Sequence, residues 1–169
     1  MALLKRKKEV VLDQKTKELV AIVDGTIQSI ENTPDAVFSQ KMMGDGVTFI
    51  PTSSRIYACM DAEITMIFPT KHALGMRSID GIGILIHVGL DTVELEGKPF
   101  TLHVMENQKV KAGDLLMEVD FEMIKAAGKG IHIPVVITNQ EELSDIHFAY
   151  IYNNEITAKS PYCKINIKN

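Results

Sequence analysis

Ile-Phe-Pro-Thr-Lys-His-Ala (67–73) and Ile-Leu-Ile-His-Val-Gly-Leu-Asp-Thr-Val-Glu-Leu (84–95) each place a histidine at the edge of an apolar, β-type run. Between them lies a turn-forming stretch, Ser78-Ile79-Asp80-Gly81. The two histidines, His72 and His87, are 15 residues apart. That spacing fits a strand, a tight turn and a strand back. Such a hairpin brings two imidazoles face to face. Paired imidazoles suit two tasks: holding a divalent metal, or carrying a transferable group on one ring while the other stabilises it.

Working outward, short apolar runs recur between turn residues. Leu19–Val23, Thr26–Ile30, Val47–Ile50, Arg55–Cys59, Ile64–Phe68, Ala73–Ser78 and Ile82–Val88 read as strands. So do Phe100–Val104, Leu115–Val119, Val135–Thr138, Phe148–Tyr152 and Cys163–Ile167. Asp24-Gly25, Asp45-Gly46, Asp80-Gly81 and Ala112-Gly113-Asp114 supply turn chemistry between them. Many short strands of this kind predict an all-β fold, an antiparallel sandwich or barrel with one or more short helices. The clearest helix follows Asp120, which caps it, and Gly128 ends it. Val-Asp-Gly-Thr-Ile-Gln-Ser-Ile (23–30) echoes Met-Asp-Ala-Glu-Ile-Thr-Met-Ile (60–67) at an offset of 37 residues, a match that chance over eight positions and a duplicated β unit explain equally well.

The chain has 169 residues and a formal net charge of −4, which fits one folding unit and argues against nucleic acid as a partner. Residues 1–16 are read as a loose basic arm and 17–169 as the domain. The tetrad Lys5, Arg6, Lys7, Lys8 offers at most a peripheral contact with anionic lipid. No apolar run approaches the roughly 18 residues that span a bilayer, and no secretory signal is visible. Two cysteines, Cys59 and Cys163, are too few for a disulfide framework, so a reducing cytoplasm is expected.

Several motifs in order identify a family. They are Met-Met-Gly-Asp-Gly-Val (42–47), Phe-Pro-Thr-Lys-His-Ala (68–73), Leu-Ile-His-Val-Gly-Leu-Asp-Thr-Val-Glu-Leu (85–95), Val-Lys-Ala-Gly-Asp (110–114) and Ile-Pro-Val-Val-Ile-Thr-Asn (133–139). Together they resemble the glucose-type enzyme IIA domain of the bacterial phosphoenolpyruvate-dependent sugar phosphotransferase system, from about Leu19 to Asn139. The resemblance implies an antiparallel β-sandwich built from a duplicated hybrid motif. It implies a phosphotransferase component that works through a phosphohistidine in sugar transport. His87 matches the residue that accepts a phosphoryl group from the phosphocarrier protein HPr and passes it to the IIB domain of a sugar permease. His72 matches the histidine that contacts the phosphoryl group, and Thr70 the hydroxyl that orients His72. Asp91 lies on the same turn as His87. By motif position, Val37, Phe38, Met42, Phe68, Leu85 and Val93 form an apolar docking rim, with Phe68 and Phe38 as anchors. His103, His132 and His147 match no site position. No cofactor is required, although His72 and His87 are open to zinc completed by a partner's carboxylate.

Three departures from the family pattern stand out: Cys59-Met60 with Ala62 where Pro-Val-Asp-Gly is usual, Ala21-Ile22-Val23 where an Ala-Pro-Val type is usual, and Gly83 in place of a glutamate. The last removes a carboxylate expected near the site strand. Two rival readings remain. A regulator would bind targets through the same face according to its phosphorylation state. A zinc hydrolase of related fold needs His-x-x-x-Asp, which His87 and Asp91 supply, and His-x-His, which the sequence lacks. The sugar served is read by the permease, not by this chain.

Overall fold

The computed structural model describes residues 15–148 and 154–167. Most of the basic arm, its Lys5–Lys8 tetrad and the expected strand beyond Phe148 lie outside the described residues. Among the described residues, fourteen strands form three antiparallel sheets. The largest has eight strands. Its centre is β3 (Asp45–Pro51), β11 (Ile133–Ile137), β7 (Gly83–His87) and β6 (Ala73–Arg77). Beyond β3 lie β2 (Gly25–Ser29) and then β13 (Asn154–Ile156); beyond β6 lie β5 (Ala62–Ile67) and then β9 (Lys109–Val110). The two smaller sheets are β1 (Thr16–Val20), β14 (Pro161–Ile167) and β12 (Leu143–Phe148), and β4 (Arg55–Tyr57), β10 (Leu115–Val119) and β8 (Phe100–Leu102).

The echo between residues 23–30 and 60–67 is a true repeat. The eight-stranded order reads the same from both edges once β2 is matched with β5, β3 with β6, β7 with β11 and β9 with β13. The small sheets match likewise, β1-β14-β12 against β4-β10-β8. Hydrogen bonds at the crossing obey the 37-residue offset. Val20 N–H donates to the Cys59 carbonyl at 2.9 Å, and Tyr57 N–H to the Ile22 carbonyl at 2.8 Å. Asp24 accepts from Ala158 N–H, and its counterpart Asp61 from Ala112 N–H. This crossing explains one shifted boundary. Ala21–Val23, expected as strand, leave β1 to reach the other repeat.

Side-chain parity places the site. In β7, Ile84 and Ile86 join the main core between the sheets, where Phe49 meets Tyr162 edge-on at 5.4 Å. Leu85 points to the other face, into a smaller cluster with Ile30, Phe38, Ala73 and Val136. His87 shares its parity. The next pair in the β7–β11 register after Ile86 with Val135 would be His87 with Pro134. Proline has no N–H, so it gives the ladder no donor at that position, and contact between the two segments resumes beyond it, where Gly89 N–H donates to the His132 carbonyl at 2.9 Å.

Helix α1 (Ala36–Ser39) covers the smaller cluster, and helix α2 (Phe121–Ala126) runs as expected, with Asp120 accepting from Met123 N–H. Lys129 N–H to the Ile124 carbonyl and Gly128 N–H to the Lys125 carbonyl close its end, with Gly128 at φ +73°. Gly83 lies farther from the histidine pair than its motif position implies. It starts β7, so it lies about 13 Å along the strand from His87, away from the site. A Cβ there would sit 2.6 Å from Thr138 Oγ1, and its amide is held by Asn139 Oδ1 at 2.8 Å. The missing glutamate therefore leaves room for that clip and takes nothing from the histidine pair. Cys59, Met60, Ala21, Ile22 and Val23 are all core.

Candidate functional site

The expected hairpin forms. Ala73 pairs with His87, and the strands run to Arg77 with Gly83 before the turn. His72 precedes β6, and its carbonyl accepts from Val88 N–H at 2.7 Å. The two imidazoles meet edge to face, with centroids 4.9 Å apart at 79°. Phe38 lies 4.9 Å from the His87 ring and Phe68 lies 5.3 Å from the His72 ring. The rings open into a pocket of about 250 Å³.

Each imidazole is oriented by one contact. The Gly89 carbonyl is 2.8 Å from His87 Nδ1. A carbonyl only accepts, so Nδ1 carries the proton and Nε2 keeps its lone pair. Gly89 reaches this position at φ +81°, a backbone that suits glycine. Thr70 Oγ1 lies 2.7 Å from His72 Nδ1. With the hydroxyl donating, His72 presents an Nε2–H to the pocket. Thr70 is fixed by a tight turn in which Lys71 N–H donates to the Phe68 carbonyl at 2.8 Å and Lys71 takes φ +59°.

Both rings are held neutral. Burial pushes His72 down to about 4, and the neighbouring His87 adds to this. Burial also lowers His87, against the opposing pull of the Gly89 carbonyl, Asp35 and Asp91. His72 therefore shapes acid stability. The folded ring stays unprotonated down to about pH 4, whereas the unfolded one protonates near 6.5. Between those values the unfolded chain binds the extra proton, so stability is full above pH 6.5 and falls as pH drops towards 4. His72→Gln should remove up to about 3 kcal/mol of that loss. Urea unfolding of both proteins at pH 7 and pH 4.5 measures it, and parallel losses in the two would refute it.

The expected site residues gather here with one revision. Asp91, Val93, Val37 and Phe68 line the pocket, together with His72 and His87. Thr70 stands behind His72. Phe38 and Leu85 are only 4% and 7% exposed, so they floor the pocket and cannot anchor a partner. The cause is α1, which turns Phe38 inward and leaves Val37 outward. Met43 lines the pocket, while Met42 is exposed beside it. The sequence reading missed Asp35, Met43 and Thr92. Asp35 follows Thr33-Pro34 and its Oδ1 accepts from Val37 N–H at 2.9 Å. A proline–aspartate helix start was the signal for it. Among the described residues, no three His, Cys, Asp or Glu side chains gather as metal ligands. The two imidazoles fit half of a tetrahedral zinc site and no more.

The model of the family phosphoenolpyruvate-dependent sugar phosphotransferase system, EIIA 1, matches residues 17–143. The PTS system glucose-specific EIIA component of Bacillus cereus is 46% identical over 137 residues, 80% of this chain and 83% of that one. The PTS system glucose-specific EIICBA component of Streptococcus pneumoniae is 41% identical over 152 residues. That match covers 90% of this chain and 21% of the relative, so the chain spans about a fifth of its length. The glucose permease IIA from Mycoplasma capricolum superposes with a TM-score of 0.82 at 33% identity, covering 89% of this chain and 96% of that one.

Proposed function

The chain belongs to the EIIA 1 family of the phosphoenolpyruvate-dependent sugar phosphotransferase system, and from this we propose that it carries a phosphoryl group on His87 Nε2. HPr supplies the group and the IIB domain of a sugar permease receives it. Glucose, the sugar named for the relatives, is the first candidate substrate of that permease. The cytoplasm is the compartment where these partners meet. No described helix is long and apolar enough to cross a membrane.

One observation supports this reading above the rest: the Gly89 carbonyl holds a proton on His87 Nδ1 and leaves Nε2 nucleophilic toward the pocket. The Nε2 lone pair forms the N–P bond as the donor's N–P bond breaks. Little covalent help is needed beyond in-line positioning and charge stabilisation. His72 Nε2–H is placed to bind a phosphoryl oxygen. The Gly89 carbonyl retains the Nδ1 proton, so the imidazole leaves neutral when the group moves on. Asp35 and Asp91 flank the pocket and disfavour a resting phosphoryl dianion. They also suit a partner with cationic side chains. Zinc at His72 and His87 would need ligands from a second molecule, so it belongs to a complex.

Reconstitution with phosphoenolpyruvate, enzyme I, HPr and a IIB domain tests the proposal. Phosphoryl flow to IIB that requires this chain is expected; none with any permease of the host overturns it. In the same assay, Phe68→Ser should raise the KM for phospho-HPr about thirtyfold, through loss of roughly 2 kcal/mol at the interface centre. Phe68 is half-buried against the Phe38 cluster, so Tm should also fall by about 3 °C. An unchanged KM would confine Phe68 to packing.

A further inference from the structure

The turn after β7 contains a buried hydroxyl to which the chemistry above gives no role. Thr92 is fully buried, and its Oγ1 donates to the Val88 carbonyl at 2.6 Å. Its methyl packs on Gly89: a Cβ built there would lie 2.4 Å from Thr92 Cγ2. Gly89 N–H donates to the His132 carbonyl and Leu90 N–H to the Gly130 carbonyl, both at 2.9 Å. These contacts surround one group, the Gly89 carbonyl that accepts from His87 Nδ1.

The turn needs such a brace. Gly89 is required by its φ of +81° and by the close approach of Thr92 and the Gly130 carbonyl. Glycine also has the widest conformational freedom of any residue, so its carbonyl direction is soft unless neighbours fix it. Free histidine favours the proton on Nε2, the wrong nitrogen for a nucleophile here. A drifting carbonyl would let His87 return to that tautomer.

We propose that Thr92 is a positioning residue: its hydroxyl bond to the Val88 carbonyl and its methyl contact with Gly89 keep the Gly89 carbonyl aligned on His87 Nδ1–H and so hold the nucleophilic tautomer. The proposal rests on His87 as the phosphoryl acceptor for its kinetic consequence only. The tautomer itself follows from the contact between His87 Nδ1 and the Gly89 carbonyl, whatever His87 carries.

Thr92→Val keeps the methyl packing and deletes the hydroxyl; Thr92→Ser keeps the hydroxyl. Ring ¹⁵N NMR at neutral pH reports the tautomer of His87, and single-turnover phosphorylation by phospho-HPr reports the rate. Wild type should show the proton on Nδ1. Thr92→Val should shift population to Nε2–H and slow phosphorylation about tenfold, the value of one lost hydrogen bond. Thr92→Ser should restore both. A wild-type His87 protonated on Nε2 overturns the proposal, whether or not the valine variant folds. So does a valine variant that slows with its tautomer intact, because the hydroxyl would then act on docking or packing. A shifted tautomer without a slower rate would instead count against His87 as the acceptor.

Discussion

His87→Ala should lose all phosphorylation by phosphoenolpyruvate, enzyme I and HPr while keeping its fold. The pocket offers no substitute nucleophile. His72 is 5% exposed, its Nδ1 is engaged with Thr70, and its Nε2 carries the proton when the hydroxyl donates. Asp35 and Asp91 are weakly nucleophilic anions that repel an incoming phosphoryl dianion. Removing the ring costs the contact with Phe38 at 4.9 Å, worth about 1 kcal/mol, well within the margin of a typical domain. The Gly89 carbonyl loses its partner, but truncation of the ring opens the space beside it to the pocket, so water takes the vacated hydrogen bond. Intact-mass spectrometry after incubation reads the adduct, and circular dichroism reads the fold. A full phosphoryl adduct on a folded variant would move the acceptor elsewhere.

Much of this architecture was legible in residue order, for identifiable reasons. The hairpin was readable because His72 and His87 flank apolar runs with Asp80-Gly81 at their midpoint, and strand parity does the rest. The repeat was visible only as eight loosely similar positions. Its proof lies in pairs distant in sequence, such as Val20 with Cys59 and Tyr57 with Ile22. Strand β12 was missed because a bulge between Leu143 and Asp145 breaks its alternation. Strands β9 and β13 are short edges whose identity comes from the partner strand alone. In the site, the histidines, Thr70 and Asp91 came from motifs. Asp35 did not, because α1 is four residues long and its role depends on where that helix lands. The inward turn of Phe38 is likewise a tertiary fact: one residue separates an exposed Val37 from a pocket floor.

His72→Gln should separate the two halves of the reaction. Glutamine keeps an N–H donor near the place of His72 Nε2, so the variant should still accept a phosphoryl group from HPr, within about tenfold of wild type, the value of one imperfect hydrogen bond. Donation to a IIB domain should suffer far more. Burial holds the empty-pocket His72 near 4, but a phosphoryl dianion beside it favours the charged ring and raises that value. The imidazole can then take up a proton while the group is in place and release it as the dianion departs. Glutamine cannot change its charge. Loss of a proton-coupled partner of this kind typically costs 10²–10⁴ in rate, so transfer to IIB should slow by about a hundredfold. Rapid-quench measurement of both half-reactions, with pre-phosphorylated protein for the second, gives the two ratios directly. Equal slowing of both steps would reduce His72 to a hydrogen-bond donor. Unchanged rates in both would remove it from the chemistry and leave its contact with Thr70 as packing.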